Sequence, residues 1–382
     1  MFSLSGLNVN DLEFPQDIES FRKHFSLNSG NLLFHYAAEK IIDFKGAKRY
    51  SWKLEGASLE NGCSGIVLPM ANHLGRHVDL SKAGPSLDNL SVPAVVLGLG
   101  AQFERFDMSF AKHIPAGTVD WLNKVKSADP SIKNIAVRGM FTYRLLKKLG
   151  LGESVEALGC QSNFISSKKR LGYDIYKKYK ASSFSEIENG ISVTAGSYTK
   201  KKFSTLERSL IALIEGKEGR YIVQNPKSLI QLASGWGDQV DQKIKDDVKE
   251  EMLPSVTDID SWFKHHAAIY VSVPQWLFDL SKKNFVVGTR IHGIQAALQA
   301  GTPALCLCID SRTTELCEMM AIPHVDAQKY INGISLKECV DEFESWDYQE
   351  YDRKRLVLAR KMKRFLLNNS VKPSDHLIAL TN

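Results

Sequence analysis

The stretch "NFVVGTRIHGIQAALQAGTPALCLCIDSRTTEL", Asn284 to Leu316, reads as strand, turn, helix, strand and helix, and it sets the fold class of the chain. Val286 and Val287 end a short apolar run, Gly288 marks a turn, and the small residues from Gly293 to Ala300 suit a helix packed tightly on a neighbour. A second apolar run, "PALCLCID" (303–310), follows at once. Strand, helix and strand in such close succession form a parallel βαβ unit. Arg290 and His292 then fall between a strand end and the first turn of a helix. Unpaired N–H groups there carry partial positive charge and favour phosphate or carboxylate.

The same alternation extends in both directions. "GIVLPM" (65–70), "VPAVVLGLG" (92–100) and "NIAVRG" (134–139) are short apolar runs, each followed by a loop or an amphipathic segment. A polar, basic stretch, "SSKKRLGYDIYKKYKASSFSEIENG" (166–190), interrupts them, and strands resume with "ISVTAG" (191–196), "RYIVQNP" (220–226) and "AAIYVSV" (267–273). With 382 residues the chain exceeds the size at which one core usually stops growing, roughly 250–300 residues. The pattern predicts an α/β protein of two doubly wound domains, residues 1–185 and 186–382, with ligands beyond the carboxyl ends of the strands. Near the end, "DRKRLVLARKMKRFLL" (352–367) spaces Leu356, Ala359, Met362 and Phe365 three apart among seven Lys or Arg residues. This predicts a last helix over 350–367 that docks on the body with a solvated basic face; attraction to an anionic membrane surface is the alternative.

Lys plus Arg exceed Asp plus Glu by 49 to 43, a formal charge of +6, and the isoelectric point is about 8.8. That balance favours anionic partners, but no basic and aromatic module accompanies it, so nucleic acid is not expected. The six cysteines contain no C-x-x-C pair, which argues against structural zinc and a disulfide framework and fits a reducing cytoplasm. "MFSLSGLNVNDLEF" lacks the charged and apolar regions of a signal peptide, and no apolar run approaches about eighteen residues. The expectation is a soluble, cytoplasmic protein without an export signal.

Candidate site residues follow from strand ends. Thr289, Arg290 and His292 form the first group: a permanently charged fork matched to oxyanions and an imidazole able to donate a hydrogen bond or proton. After "ALCLCI", Asp310 or Ser311 can cap the next helix, and Arg312 and Glu315 lie in its first turn, either facing the same cleft or pairing with each other on the helix surface. Asn28, Gly30 and Asn31 precede an amphipathic helix in a turn that brings backbone amides close to a ligand. "VLGLGAQ" (96–102) lacks the third glycine of a dinucleotide fingerprint and offers Gln102 as a contact. Arg138 ends a strand and can reach an anion in the cleft. Thr142 with Lys147 and Lys148 reads as helix capping and dipole compensation, Lys200 to Lys202 as a solvated loop with phosphate contact as the alternative, and "KHH" (264–266) as structural, so no metal site is expected.

These segments together carry a resemblance. "VVGTRIHGIQAALQAGTPALCLCIDSRTTEL", "VRGMFTYRLLKKLG" (137–150) and "LGCQSNF" (158–164) resemble the polysaccharide pyruvyltransferase family, and the similarity takes in the Asn28–Asn31 turn, "VLGLGAQ" and "VPQW" (273–276). The resemblance implies a GT-B-like architecture with a cleft between the domains. It also implies transfer of the enolpyruvyl group of phosphoenolpyruvate to a sugar of a surface polysaccharide or exopolysaccharide, or its precursor, as a ketal. The first domain would be the acceptor side and the second the phosphoenolpyruvate side. Arg290 and His292 match the family's Arg-x-His motif and would be the catalytic pair: Arg290 would hold the donor's anionic groups, His292 would be a donor contact or general acid, and Arg138 a second anion ligand. Thr289, Arg312, Glu315, Asn28, Gly30, Asn31 and Gln102 would bind substrate, with Glu315 also a candidate base. Ile291 stands where the family usually has Leu, and "GCQ" with Gln161 replaces its usual turn, which bears on the acceptor. No cofactor and no metal are called for. Expected partners are phosphoenolpyruvate and a saccharide or lipid-linked saccharide; peripheral membrane association at the inner face and a homo-oligomer are compatible with the sequence. The rival expectations are a glycosyltransferase using a nucleotide-sugar donor and a non-catalytic carbohydrate-binding assembly protein.

Overall fold

In the computed structural model, which describes residues 1–9, 13–52, 54, 63–88 and 90–382, the chain forms two six-stranded parallel sheets. The first contains β1 (Phe2–Ser5), β2 (Arg49–Tyr50), β3 (Gly65–Pro69), β4 (Ala94–Leu99), β5 (Ile135–Val137) and β6 (Val155–Ala157) in the order β2-β1-β3-β4-β5-β6. The second contains β7 (Ile191–Thr194), β8 (Tyr221–Val223), β9 (Ala267–Ile269), β10 (Phe285–Gly288), β11 (Ala304–Cys308) and β12 (His324–Asp326) in the order β12-β11-β10-β7-β8-β9. In the second sheet the chain moves outward from β7 through β8 to β9, then returns to the other side of β7 with β10. That reversal lies between β7 and β10, and an open parallel sheet opens a crevice at such a point.

Two doubly wound α/β units agree with the reading of the sequence. Four strands went unread: β1, β2, β6 and β12. They are two to four residues long, and β12 is largely exposed, so none presents an apolar run. "AAIYVSV" also contracts. Only Ala267–Ile269 is strand, because the Ser272 side chain caps the helix Val273–Ser281, which has proline in its first turn.

Alternation along β3 to β5 explains why the first sheet is buried on both faces. Ile66, Leu68, Val96, Ile135 and Val137 pack with Leu122, Leu145 and Leu146 on one side. Val67, Val95, Leu97 and Ala136 face the other way and join a core continuous with the second sheet. The helix Asn31–Ile41 enters that shared core. It buries Leu32, Leu33, Phe34, His35, Ala37, Ala38 and Ile41, so the amphipathic helix of the sequence reading is a wedge between the domains. All six cysteines are free, and Cys306 and Cys308 of β11 meet Cys317 of the following helix, the three sulfurs lying within 4.8 Å of one another.

The basic C-terminal helix, Tyr348–Asn368, packs on the helix Leu171–Ala181 and buries Leu358, Ala359, Met362, Phe365 and Leu366. Arg353, Arg360, Lys361 and Arg364 are exposed, but Arg355 is fully buried. Its Nε donates to the Asn163 carbonyl at 2.8 Å, Nη1 to Lys168 at 2.6 Å and Nη2 to Ser166. A final helix, Asp375–Thr381, returns to pack on Asn31–Ile41. Among the described residues no helix is long and apolar enough to cross a membrane.

Replacing Arg355 by methionine keeps the volume but leaves three carbonyls, that of Asn163 buried, without their donor. Arg355→Met should lower unfolding stability by about 2–4 kcal/mol in urea titration, since hydrogen bonds to a charged group contribute roughly 1.5–3 kcal/mol. An unchanged midpoint would show that the carbonyls find other partners.

Candidate active site

The crevice between β7 and β10 is built by backbone before any side chain enters it. Gly288 has φ +148°, and a Cβ there would lie 2.3 Å from the Thr194 hydroxyl, so only glycine lets β10 run this close to β7. Thr289, buried beside it, carries the chain to Arg290, the residue capping the helix Ile291–Gln299. The Arg290 amide donates to the Thr194 hydroxyl at 3.3 Å. Its side chain turns across the crevice, Nε donating to the Ala195 carbonyl at 3.1 Å and Nη2 to the Gly196 carbonyl at 3.0 Å. Desolvation, reinforced by Arg312 and opposed by Glu207, brings the Arg290 pKa to about 10, so the group stays charged at neutral pH.

Arg138, at the end of β5, is 1% exposed and reaches the same region from the first domain. Its Nε donates to the Gly98 carbonyl at 2.9 Å and its guanidinium lies over the Phe34 ring, 5.9 Å from the centroid. Gly98 forms the bulge in β4, with φ +73°. Arg312, on the helix Ser311–Met320, stands 3.5 Å from Asp310 and interacts electrostatically with both other arginines. Three guanidinium groups from two domains therefore share one desolvated space. Arg138 Nη2 and Arg312 Nε meet no protein acceptor.

Three imidazoles and one amide complete the cluster. His292 follows Arg290 by two residues, with its ring 5.5 Å from Phe34 and its buried Nε2 without a partner. Burial, then Arg138, Arg312 and His35, hold its pKa well below the ordinary value, so it is neutral at pH 7. His35 is held down to about 3 and His73 to about 4, each chiefly by burial. Gln224, just past β8, is buried with Nε2 unpartnered; it presses on Gly30 and Gly293, where any Cβ would collide with its amide. The sequence reading passed over His35, His73 and Gln224, although Gln224 holds the same strand-end position that singled out Arg290.

The remaining candidates divide. Asn28 Oδ1 accepts from the Gly30 amide at 3.1 Å, and Asn31 turns its amide to Ser26, so both side chains serve their own turn, while Gly30 packs against Gln224. Gln102 donates to Asp310 at 3.3 Å across the domains and accepts from Asn72. Asp310 caps its helix through Thr313. Burial raises its carboxyl, but Arg312, Thr313 and Lys200 outweigh this and hold it below the usual range. Gln102 and Asp310 also form one wall of an interdomain cavity of about 1190 Å³, lined further by Arg76, Arg105, Lys200 and His324.

Glu315 does not pair with Arg312. It spans the domains to cap the helix Met140–Lys148, accepting from the Thr142 amide at 2.6 Å and the Thr142 hydroxyl at 2.7 Å. Phe103 and Ser311 exchange two further bonds across the same boundary, each 3.1 Å. Thr142 is thus half of an interdomain latch.

Two doubly wound domains thus meet at a crevice lined by guanidinium groups from both. A family model for polysaccharide pyruvyl transferase matches residues 87–311, well over half of the chain, and the protein belongs to that family. No curated protein matches the chain. Among solved structures, it is similar to the S. aureus MnaA–UDP co-structure, with 12% identity over 98% of this chain and 100% of that one and a TM-score of 0.43. A UDP-N-acetylglucosamine 2-epimerase from Rickettsia bellii gives 13% identity over 96% and 95% and the same TM-score, 0.43.

Burial lifts the Glu315 carboxyl to about 7. A carboxyl raised in the folded state stabilises fully below its unfolded pKa, about 4.3, and the contribution is lost as pH rises through the folded value. Wild type should therefore lose stability between about pH 4.3 and the folded pKa relative to Glu315→Gln, measured by urea unfolding across that window. Parallel curves would place the Glu315 pKa at its ordinary value.

Proposed function

We propose that this chain transfers the enolpyruvyl group of phosphoenolpyruvate to two hydroxyls of a sugar in a surface polysaccharide or its precursor, closing a pyruvate ketal. The reading rests on the convergence of Arg138, Arg290 and Arg312 at the crevice, where N–H groups of Arg138 and Arg312 are buried without protein acceptors. Phosphoenolpyruvate carries a phosphate ester and a carboxylate on neighbouring carbons of a three-carbon unit, and charge-assisted bonds from fixed guanidinium groups recognise both. Membership of the pyruvyl transferase family supports the same donor chemistry.

In this scheme His292 delivers a proton to the methylene carbon. The first sugar hydroxyl attacks the resulting oxocarbenium carbon, the C–O bond to phosphate breaks, and the second hydroxyl closes the ring. One hydroxyl proton restores the imidazole and the other leaves with inorganic phosphate, so the step balances. The arginines stabilise the departing phosphate. The sugar occupies the basic interdomain cavity, whose Asp310 wall adjoins Arg312.

Neutral His292 is not an acid in the free protein, and the donor itself supplies the remedy. Its anionic groups offset the repulsion from Arg138 and Arg312 and raise the imidazole pKa. Donor binding should then take up a proton and weaken as pH rises through the donor-bound pKa. Titration calorimetry with phosphoenolpyruvate in buffers of different ionisation enthalpy measures this uptake, and His292→Ala should abolish both the uptake and turnover. Equal uptake in that variant removes His292 from the acid role. Arg290→Ala should weaken donor binding roughly ten- to a hundredfold, the value of a lost charged hydrogen bond. Saturable binding of UDP or GDP in place of phosphoenolpyruvate would overturn the donor assignment in favour of a nucleotide sugar.

A further inference from the structure

The strand-end arginine is held by a peptide group whose far side is held by a carboxylate. The helix Ser204–Ala212 carries Glu207, which is 5% exposed, and its Oε1 accepts from the Gly196 amide at 2.8 Å and from the Tyr221 hydroxyl. The N–H of Gly196 and the C=O of Ala195 belong to one trans peptide and point in opposite directions. Arg290 Nε donates to that carbonyl at 3.1 Å. Carboxyl oxygen, N–H, C=O and guanidinium therefore lie in series, each polarising the next, with the dipole of the peptide aligned between the accepting Glu207 oxygen and positive Arg290. A second bond, from Arg290 Nη2 to the Gly196 carbonyl, fixes the rotation of the fork.

The sequence permits this arrangement only because residue 196 is glycine. A Cβ there would lie 2.0 Å from Glu207 Oε2. Tyr221 comes from β8, beside β7, and its hydroxyl donates to the same Glu207 oxygen as the Gly196 amide. No ion pair joins Glu207 to Arg290 directly, so the carboxylate leaves the remaining N–H groups of the guanidinium for another acceptor.

We propose that Glu207, supported by Tyr221, is a positioning residue for the donor site: through the Ala195–Gly196 peptide it fixes the direction of the Arg290 guanidinium. The proposal rests on the reading of Arg290 as a ligand of the phosphoenolpyruvate anion. A residue acting only through Arg290 must lose its effect when the fork is gone, and a purely structural residue need not.

The test is a double-mutant cycle read by phosphoenolpyruvate affinity. Glu207→Gln should weaken binding about tenfold in the wild-type background and leave it unchanged in the Arg290→Lys background, with the acceptor KM unaffected in both. Equal losses in the two backgrounds, or no loss in the first, would overturn the proposal. Should Glu207→Gln fail to fold, Tyr221→Phe enters the same cycle with a smaller effect of the same pattern. If wild type binds no phosphoenolpyruvate, the donor reading fails, and the Arg290 Nε–H resonance still decides the positioning claim. A shift of that resonance in Glu207→Gln or Tyr221→Phe supports it, and an unmoved resonance overturns it.

Discussion

Positive charge gathered where water is excluded is the constraint that the rest of the structure answers. Arg312 repels both Arg138 and Arg290, which burial strips of hydration, and isolated charges in such a medium are costly. The fold meets part of that cost with backbone carbonyls at Gly98, Ala195 and Gly196, which solvate without cancelling charge. Asp310 is the neighbouring carboxyl held below its usual range, whereas burial lifts Glu207 and Glu315. The local field therefore stays positive, the sign that attracts anions.

Sustaining that field takes a stiff frame. Like charges would separate if the domains could move apart, and the shared core around the helix Asn31–Ile41 resists this, as do the Glu315–Thr142 and Phe103–Ser311 bonds. The terminal helices add a second tie, since Arg355 pins the segment after β6 and Asp375–Thr381 closes on the wedge helix. Arg355, Arg138 and Arg290 use the same device: guanidinium groups held by carbonyls rather than by carboxylates.

The sequence displayed what depends on neighbours along the chain and concealed what depends on distant partners. Strands β3, β4, β5, β7, β8, β10 and β11 were legible because each is a short apolar run next to turn residues, and the placement of Arg290 and His292 followed from β10 alone. Residues β1 and β12 comprise are too few or too exposed to form a pattern. Glu315 looked like a partner for Arg312 three residues away, yet its bonds go to Thr142, 173 positions distant. Arg355 was counted with a solvated basic face because periodicity locates the apolar stripe of a helix but not a carbonyl-rich loop folded over its edge. His35 and Glu207 sit within helical segments, where nothing local distinguishes a crevice wall from ordinary packing.

The division of the arginines between domains links binding to domain contact. Arg138 belongs to the first sheet, and Arg290 and Arg312 to the second, so their mutual repulsion opposes the approach of the domains while the latch bonds favour it. An anion held between them reverses the sign of that term, because each guanidinium is then drawn to a shared negative group. Asp310 stands at the join: it caps its own helix, faces Arg312, accepts from Gln102 of the first domain and walls the basic cavity. Charge brought to Arg312 competes with Asp310 for the same guanidinium, and any shift of Asp310 is felt at Gln102 across the boundary.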